Sequence, residues 1–297
     1  MNAIPSLRSL AEHSSKVLPL LDAQMLQPGT QLERDWLSEL RGLVATTSTR
    51  ASERIASCDV LIAQATDFAA MEYGFLYDSS RHLLAVGYNL DDYRRDNSFY
   101  DQLASEVRLA HFVAIAQGQL PQESWFALGR IRTIASGEPV LVSWSGSMFE
   151  YLMPMLVMPS YEGSLLDQTC RASVAHQIAY GKQRGVPWGI SESGYHTFDA
   201  SLNYQYHAFG VPGLGFKRGL AEDLVVSPYA SVMALMVAPE AACSNLQRLA
   251  AMGMEGRFGF YEAVDYTASR LPRGQSSAVV RSFMAVSYTH LTLPTKA

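Results

Sequence analysis

The sequence predicts an all-α fold, a toroid of paired helices with a small β-hairpin inserted into it. Three observations carry that expectation. Apolar residues recur near a period of 3.6 along most of the chain, the segments they mark are joined by short turns rich in Gly and Pro, and no strand–helix–strand alternation is present. Only residues 71–89 change to a period of two.

In chain order, residues 5–27 are amphipathic and stop at Gln27-Pro28-Gly29-Thr30, a turn signal. Residues 1–30 therefore read as an N-terminal segment or linker, with a domain expected over 31–285. Trp36, Leu37, Leu40, Leu43 and Val44, then Ile55, Cys58, Leu61, Ile62 and Ala65, mark a long helix, with a break expected at Thr46-Thr47-Ser48-Thr49. Tyr73, Phe75 and Tyr77 alternate, Asp78-Ser79-Ser80-Arg81 turns, and residues 83–88 return as the hairpin. A polar loop, 89–98, leads to a helix over 99–117. Further helices are expected over 123–134, 149–157 and 161–180, the first ended by Ser136-Gly137-Glu138-Pro139 and the last by Gly181 through Pro187. Residues 228–237 and 240–251 form two more, opened by Ser227-Pro228 and by Pro239. A last helix is expected from about 276 to 285. Residues 286–297 shift abruptly to Thr, Leu and Pro; they resemble a translated sequencing-adapter tail and are set aside as non-native.

Composition narrows the function. The 297 residues are 48% hydrophobic and 17% charged, which describes a globular chain with a sizeable core. A net charge of −5 leaves no basic stripe for nucleic acid. No apolar run reaches membrane-span length. Cys58, Cys170 and Cys243 are too few and too scattered for a disulfide framework or a zinc site. His196 has no partner at metal-ligand spacing, so no metal and no cofactor are expected. Fifteen Tyr supply flat faces with polar tips that suit sugar rings.

Carboxylates set among small and aromatic residues are the chemical signal. In Val142-Ser143-Trp144-Ser145-Gly146-Ser147-Met148-Phe149-Glu150, a turn leads into an apolar helix whose first turn carries Glu150. That Glu either lines a sugar cleft or complements the helix dipole. Trp188-Gly189-Ile190-Ser191-Glu192-Ser193-Gly194-Tyr195 places Glu192 among small neighbours that admit a ligand, with Trp188 and Tyr195 as stacking faces. Glu262 sits in a third such turn, Gly259-Phe260-Tyr261-Glu262. Glu106, among Leu103, Val107 and Leu109, is expected to be drawn inward, where a carboxylate needs a partner or a task; a surface Glu paired with Arg108, Arg81 or Arg94 is the alternative. The Gly-rich run 210–219 lacks the strand-to-helix setting of a dinucleotide fingerprint. Breaking or transferring a glycosidic bond needs two carboxyl groups, one protonated and one ionised, between aromatic platforms.

Eight ordered stretches then carry a resemblance: Leu76-Tyr77-Asp78, Gly87-Tyr88-Asn89, residues 100–106, residues 144–154, Gly189-Ile190-Ser191-Glu192-Ser193, Tyr204-Gln205-Tyr206, Lys217-Arg218-Gly219 and residues 259–265. Over about 68–285 the chain resembles the glucoamylase-like cyclisation domain of bacterial cyclic β-1,2-glucan synthases. The resemblance implies an (α/α)6 toroid, similar to β-1,2-glucanases, that closes linear β-1,2-glucan into a ring by retaining transglycosylation. It implies Glu106 and Glu192 as the catalytic pair. Glucan contacts are expected from Glu150, Trp144, Trp188, Tyr195, Tyr204, Tyr206, Lys217, Arg218, Tyr261 and Glu262. The family continues past Val280-Arg281-Ser282-Phe283-Met284-Ala285 with a His-His-Gln-Gly-Met block that is replaced here by the adapter-like tail. The resemblance therefore implies an incomplete toroid, normally joined in one chain to membrane glycosyltransferase and phosphorylase-like domains, at the cytoplasmic face of the bacterial inner membrane. A hydrolase of the same fold and a non-catalytic glucan-binding module are the alternatives.

Overall fold

The structure, a computed structural model, describes residues 4–283. The tail 286–297 and the end of the last expected helix lie outside the described residues. The chain divides between Glu72 and Tyr73 into two compact units.

The first unit contains α1 (Leu7–Ala11), α2 (His13–Met25) and α3 (Gln31–Ala69). The Pro28-Gly29 turn ends where the sequence places it, and Thr30 opens α3 with a reciprocal cap: its Oγ1 accepts from Glu33 N, and Glu33 Oε2 accepts from Thr30 N at 2.7 Å. The break expected at 46–49 does not occur, and α3 continues through it as one helix of 39 residues. Hydroxyl residues weaken a helix by competing for its backbone. Here Ser48 directs its hydroxyl away instead, donating to Ala11 O at 2.5 Å and lying 2.8 Å from Ser14 Oγ, so the competition is diverted into packing against α1 and α2.

The second unit begins with two short hairpins, β1 (Tyr77–Asp78) with β2 (Leu83–Leu84) and β3 (Tyr88–Asn89) with β4 (Arg94–Arg95). The first is the predicted hairpin; Asp78 Oδ1 accepts from Ser80 N and Arg81 N and so folds its turn. Next come α4 (Ser105–Ala116) and α5 (Glu123–Ala127), then β5 (Arg132–Ala135) paired with β6 (Glu138–Leu141). The helix expected over 123–134 is thus only a single turn or so, and Ser136-Gly137, both at positive φ, join two strands. After α6 (Met148–Leu152), extended by a tighter turn over Met153–Leu156, α7 (Leu165–Arg184) is capped by Ser164 and stopped by Gly185 in the left-handed conformation.

The hairpin of β7 (Glu192–Phe198) and β8 (Tyr204–Ala208) follows, then β9 (Val225–Val226), α8 (Pro228–Met233) and α9 (Pro239–Leu249). A small hairpin, β10 (Glu255–Gly256) with β11 (Gly259–Phe260), precedes β12 (Ala263–Asp265) and β13 (Ala278–Val280). β12 is the central strand of a three-stranded antiparallel sheet, between β9 and β13. Helices dominate, as expected, but the all-α description is corrected: among the described residues the strands form six small sheets where one hairpin was predicted. Most are two to four residues long, too short to print an alternation. The last expected helix is also corrected, since residues 278–280 pair with β12. The main core of this unit gathers Leu141, Tyr151, Leu152, Leu214, Val225 and Ala263. No helix among the described residues is long and apolar enough to cross a membrane.

Candidate active site

The turn that begins α6 is held from below by glycines. Ser143 pairs with Gly215, through Ser143 N to Leu214 O at 2.9 Å and Phe216 N to Ser143 O at 3.0 Å. A Cβ on Gly210 would sit 1.7 Å from Ser145 O, and one on Gly215 2.5 Å from Ser145 C. The Gly-rich run is thus a bed on which backbone lies against backbone. Above it, Glu150 accepts from Ser143 Oγ at 2.9 Å, Ser145 Oγ at 2.5 Å, Ser145 N at 3.2 Å, and Ser147 N and Oγ at 3.2 Å. Its carboxylate is turned into the serines that precede it.

The start of α6 is tied to the segment that carries Glu192. Met148 N donates to Ile190 O and Phe149 N to Ser191 Oγ, both near 3 Å. Glu192 then opens β7, and Tyr206, across the hairpin, donates to its Oε2 at 2.8 Å. Tyr229 of α8 donates to Glu192 O at 2.8 Å and contacts Ser191 Oγ at 2.7 Å. Gly194 faces Tyr206 in register, and its missing side chain lets Glu262 approach: Gly194 N donates to Glu262 Oε1 at 2.5 Å. Ser282 Oγ holds the other oxygen at 2.9 Å. Burial first, and the charges of Glu192 and Glu262 after it, raise both phenols well above their ordinary range, so each stays a neutral hydrogen-bond donor.

An ion-pair cluster fixes this hairpin to the three-stranded sheet. Asp265, fully buried, accepts from Arg270 Nε at 2.8 Å, from Thr267 N at 2.9 Å and from His196 N on β7 at 3.1 Å. Arg270 also pairs with Asp223, and its guanidinium lies 4.9 Å from the centre of the Tyr195 ring. Burial alone would raise the Asp265 pKa; the bonds from Arg270, Thr267 and His196 outweigh it and the net direction is down.

The predicted site residues divide accordingly. Glu192, Tyr206 and Glu262 come together, and Glu150 adjoins them through α6. Glu106 stands in the first turn of α4 but is exposed, against the expectation that it is drawn inward; the buried line of that helix is Ser105, Arg108, His111 and Ala114, at a spacing of three that bypasses it. Arg108 does not pair with it, donating instead to Glu150 O and Tyr151 O. α4 and the Glu192 segment share α6 as a neighbour. Trp188 is corrected from a stacking face to a core residue, 7% exposed and pressed on Gly181, with its backbone held by Asn245. Tyr195 lies half-buried under Arg270, Tyr204 stacks on Phe198, and Tyr261 stacks near Phe283. Lys217 turns back to His207 Nε2 at 2.6 Å, while Arg218 is exposed. Trp144 is exposed.

Tyr229, Asp265 and Arg270 were missed by sequence reasoning, because their partners lie far along the chain. Asp101 was also missed; burial, then the charge of Glu150, outweigh bonds from Leu103 N and Ala104 N and raise its pKa. A separate cavity of about 520 Å³, lined by Phe112, Ile115, Trp125, Phe126 and Leu165, includes none of the predicted site residues. Its only charged lining group, Arg130, is engaged by the carbonyls of Trp125, Phe126 and Leu128, so volume there does not coincide with chemistry.

Comparison with known proteins gives the family of this chain. The glycoamylase family model, described as "Putative glucoamylase", matches residues 98–293. The chain is 48% identical over 227 residues to the cyclic beta-(1,2)-glucan synthase NdvB of Rhizobium meliloti (strain 1021), an alignment covering 76% of this chain and 8% of the relative. It therefore spans a small part of that relative's length. With a family model matching most of its second unit, the chain belongs to the glucoamylase-like family.

Proposed function

We propose that this chain is a carbohydrate-active enzyme portion that cyclises linear β-1,2-glucan by retaining transglycosylation, on an incomplete (α/α)6 toroid. The observation that carries the reading is the cluster of Glu192, Tyr206, Tyr229 and Glu262 at the mouth of the β7–β8 hairpin. Glu106 and Glu192 are the catalytic pair in this proposal. One carboxylate attacks the anomeric carbon while the other protonates the departing oxygen; the second then takes the proton from the 2-hydroxyl at the glucan's own non-reducing end as that oxygen displaces the enzyme. Tyr206, as a neutral donor to Glu192, holds that carboxylate's orientation between the two steps. Ring closure instead of hydrolysis requires that water be kept from the covalent intermediate. On the same reading the glucan is the partner of this site. The chain then belongs to a longer polypeptide with membrane glycosyltransferase and phosphorylase-like regions, at the cytoplasmic face of the inner membrane.

The test is incubation of the chain with linear β-1,2-glucan, followed by analysis of reducing ends. Products without a reducing end are expected. Short linear oligosaccharides alone would make it a hydrolase, and unaltered glucan would leave only a binding role. Glu106→Gln and Glu192→Gln are each expected to slow turnover by about 10²-fold or more; unchanged turnover in either removes that residue from the pair.

A further inference from the structure

The displayed aromatic at the α6 turn supplies a further site. From Leu141 to Met148 every side chain is buried except Trp144, which is 68% exposed. Its backbone is locked on both sides: Lys217 N donates to Trp144 O at 2.9 Å, and Ser145 N donates to Glu150. The isolated bridge between Ser143 and Gly215 brings the backbones of the next residues, Trp144 and Phe216, next to each other, and Phe216 too is exposed, at 44%. Two large apolar rings thus face water from a backbone that cannot retract them. Unsatisfied flexibility does not explain this, because the glycine bed and the serine–carboxylate turn fix the segment.

We infer that Trp144 and Phe216 form a stacking platform for a glucosyl ring of the glucan, an inference that rests on the function proposed above. The apolar C–H face of a pyranose matches an aromatic ring, and the exposed Arg218, two residues beyond Phe216, offers donors to the ring hydroxyls. The area argues for a sugar and against a protein partner: two aromatic side chains contribute at most about 150–250 Å² each, while a stable protein interface buries about 1,600 Å². The platform also lies close to the chemistry in the chain of contacts. Four and five residues after Trp144, Met148 and Phe149 bond to Ile190 and Ser191, which directly precede Glu192. A ring stacked there would fix a sugar unit relative to that carboxylate.

Calorimetric titration of the 297-residue chain carrying Glu192→Gln with a linear β-1,2-gluco-oligosaccharide tests the platform without turnover. Adding Trp144→Ala is expected to weaken binding about tenfold and Phe216→Ala about threefold, with Trp144→Phe between the parent and the alanine variant. Thermal midpoints should stay those of the parent, since both side chains are exposed; Trp144→Phe keeps a ring and reads the same site should Trp144→Ala disturb folding. Equal affinities in all four chains overturn the platform and leave the glucan reading standing. A parent chain that does not bind the oligosaccharide at all overturns both.

Discussion

Thr30 with Glu33 and Ser147 with Glu150 are the same device in sequence, a hydroxyl residue followed three places later by Glu, and both form reciprocal helix caps. Their surroundings differ. Glu33 accepts from Thr30 N and Thr30 Oγ1 and otherwise faces solvent. Glu150 serves its cap and also gathers Ser143 and Ser145, which are buried against the Gly-rich run. A first-turn Glu beside an exposed Trp is therefore no evidence of catalysis by itself. What the second box adds is rigidity: it fixes the turn that displays Trp144 and the helix start that abuts Ser191. Glu192, whose bonds face the mouth of a hairpin, is instead the carboxylate that the proposed chemistry uses together with Glu106.

The inward extreme of this contrast is Asp265, and breaking it carries the largest expected effect. Arg270→Gln leaves a buried carboxylate without its cation, at a cost of about 3–5 kcal/mol by denaturant unfolding at neutral pH. The sign with pH follows from the lowered Asp265 pKa. A depressed carboxylate contributes stability above its unfolded value of about 3.9, and that stability is lost as pH falls through the folded value. In the variant the buried group titrates upward instead, so the gap between the two proteins should be widest near pH 7 and close in acid. A gap independent of pH would mean that Arg270 acts through packing on Tyr195 alone.

Glu150→Ala comes next. It strips the partners from Ser143 Oγ, Ser145 N and Oγ, and Ser147 N, several of them buried, and is expected to cost about 3 kcal/mol. Turnover per folded molecule should fall as well, because the Trp144 turn loosens. A loss as small as that from the α3 box would erase the distinction drawn between the two.

The helices and turns of this chain were legible where periodicity and punctuation act locally. The long α3, apart from the break expected at 46–49, the Pro28-Gly29 stop, the Asp78 turn and the Gly185 stop are all written in neighbouring residues. β7 was not, since Ser-Glu-Ser-Gly has no apolar alternation and the strand's outer N–H groups are held by Glu262 and Asp265, roughly seventy positions away. Ala278-Val279-Val280 is a short apolar run that fits helix or strand, and pairing with β12 decides it. At the site, Glu192 could be singled out from its small neighbours, and Tyr206 from its block. Tyr229 could not, because only the fold brings α8 against Ser191. Trp188 misled for the same reason: composition marks a Trp beside Gly as displayed, whereas Asn245 and Gly181 enclose it.

The smallest expected effect belongs to the solvent-facing box. Thr30→Ala removes the acceptor for Glu33 N and should cost about 1 kcal/mol, the usual worth of an N-cap hydroxyl. Glu33→Ala should cost less, because Thr30 N and Oγ1 can turn to water once the carboxylate is gone. Both changes lie in the first unit, so glucan turnover and oligosaccharide affinity should stay at parent values while helix content near the start of α3 falls by hydrogen exchange. That pairing isolates the variable. If the same two-residue device weakens only its own helix in one place and takes the sugar platform with it in the other, the difference lies in the glycine bed and the serines around Glu150, not in the cap.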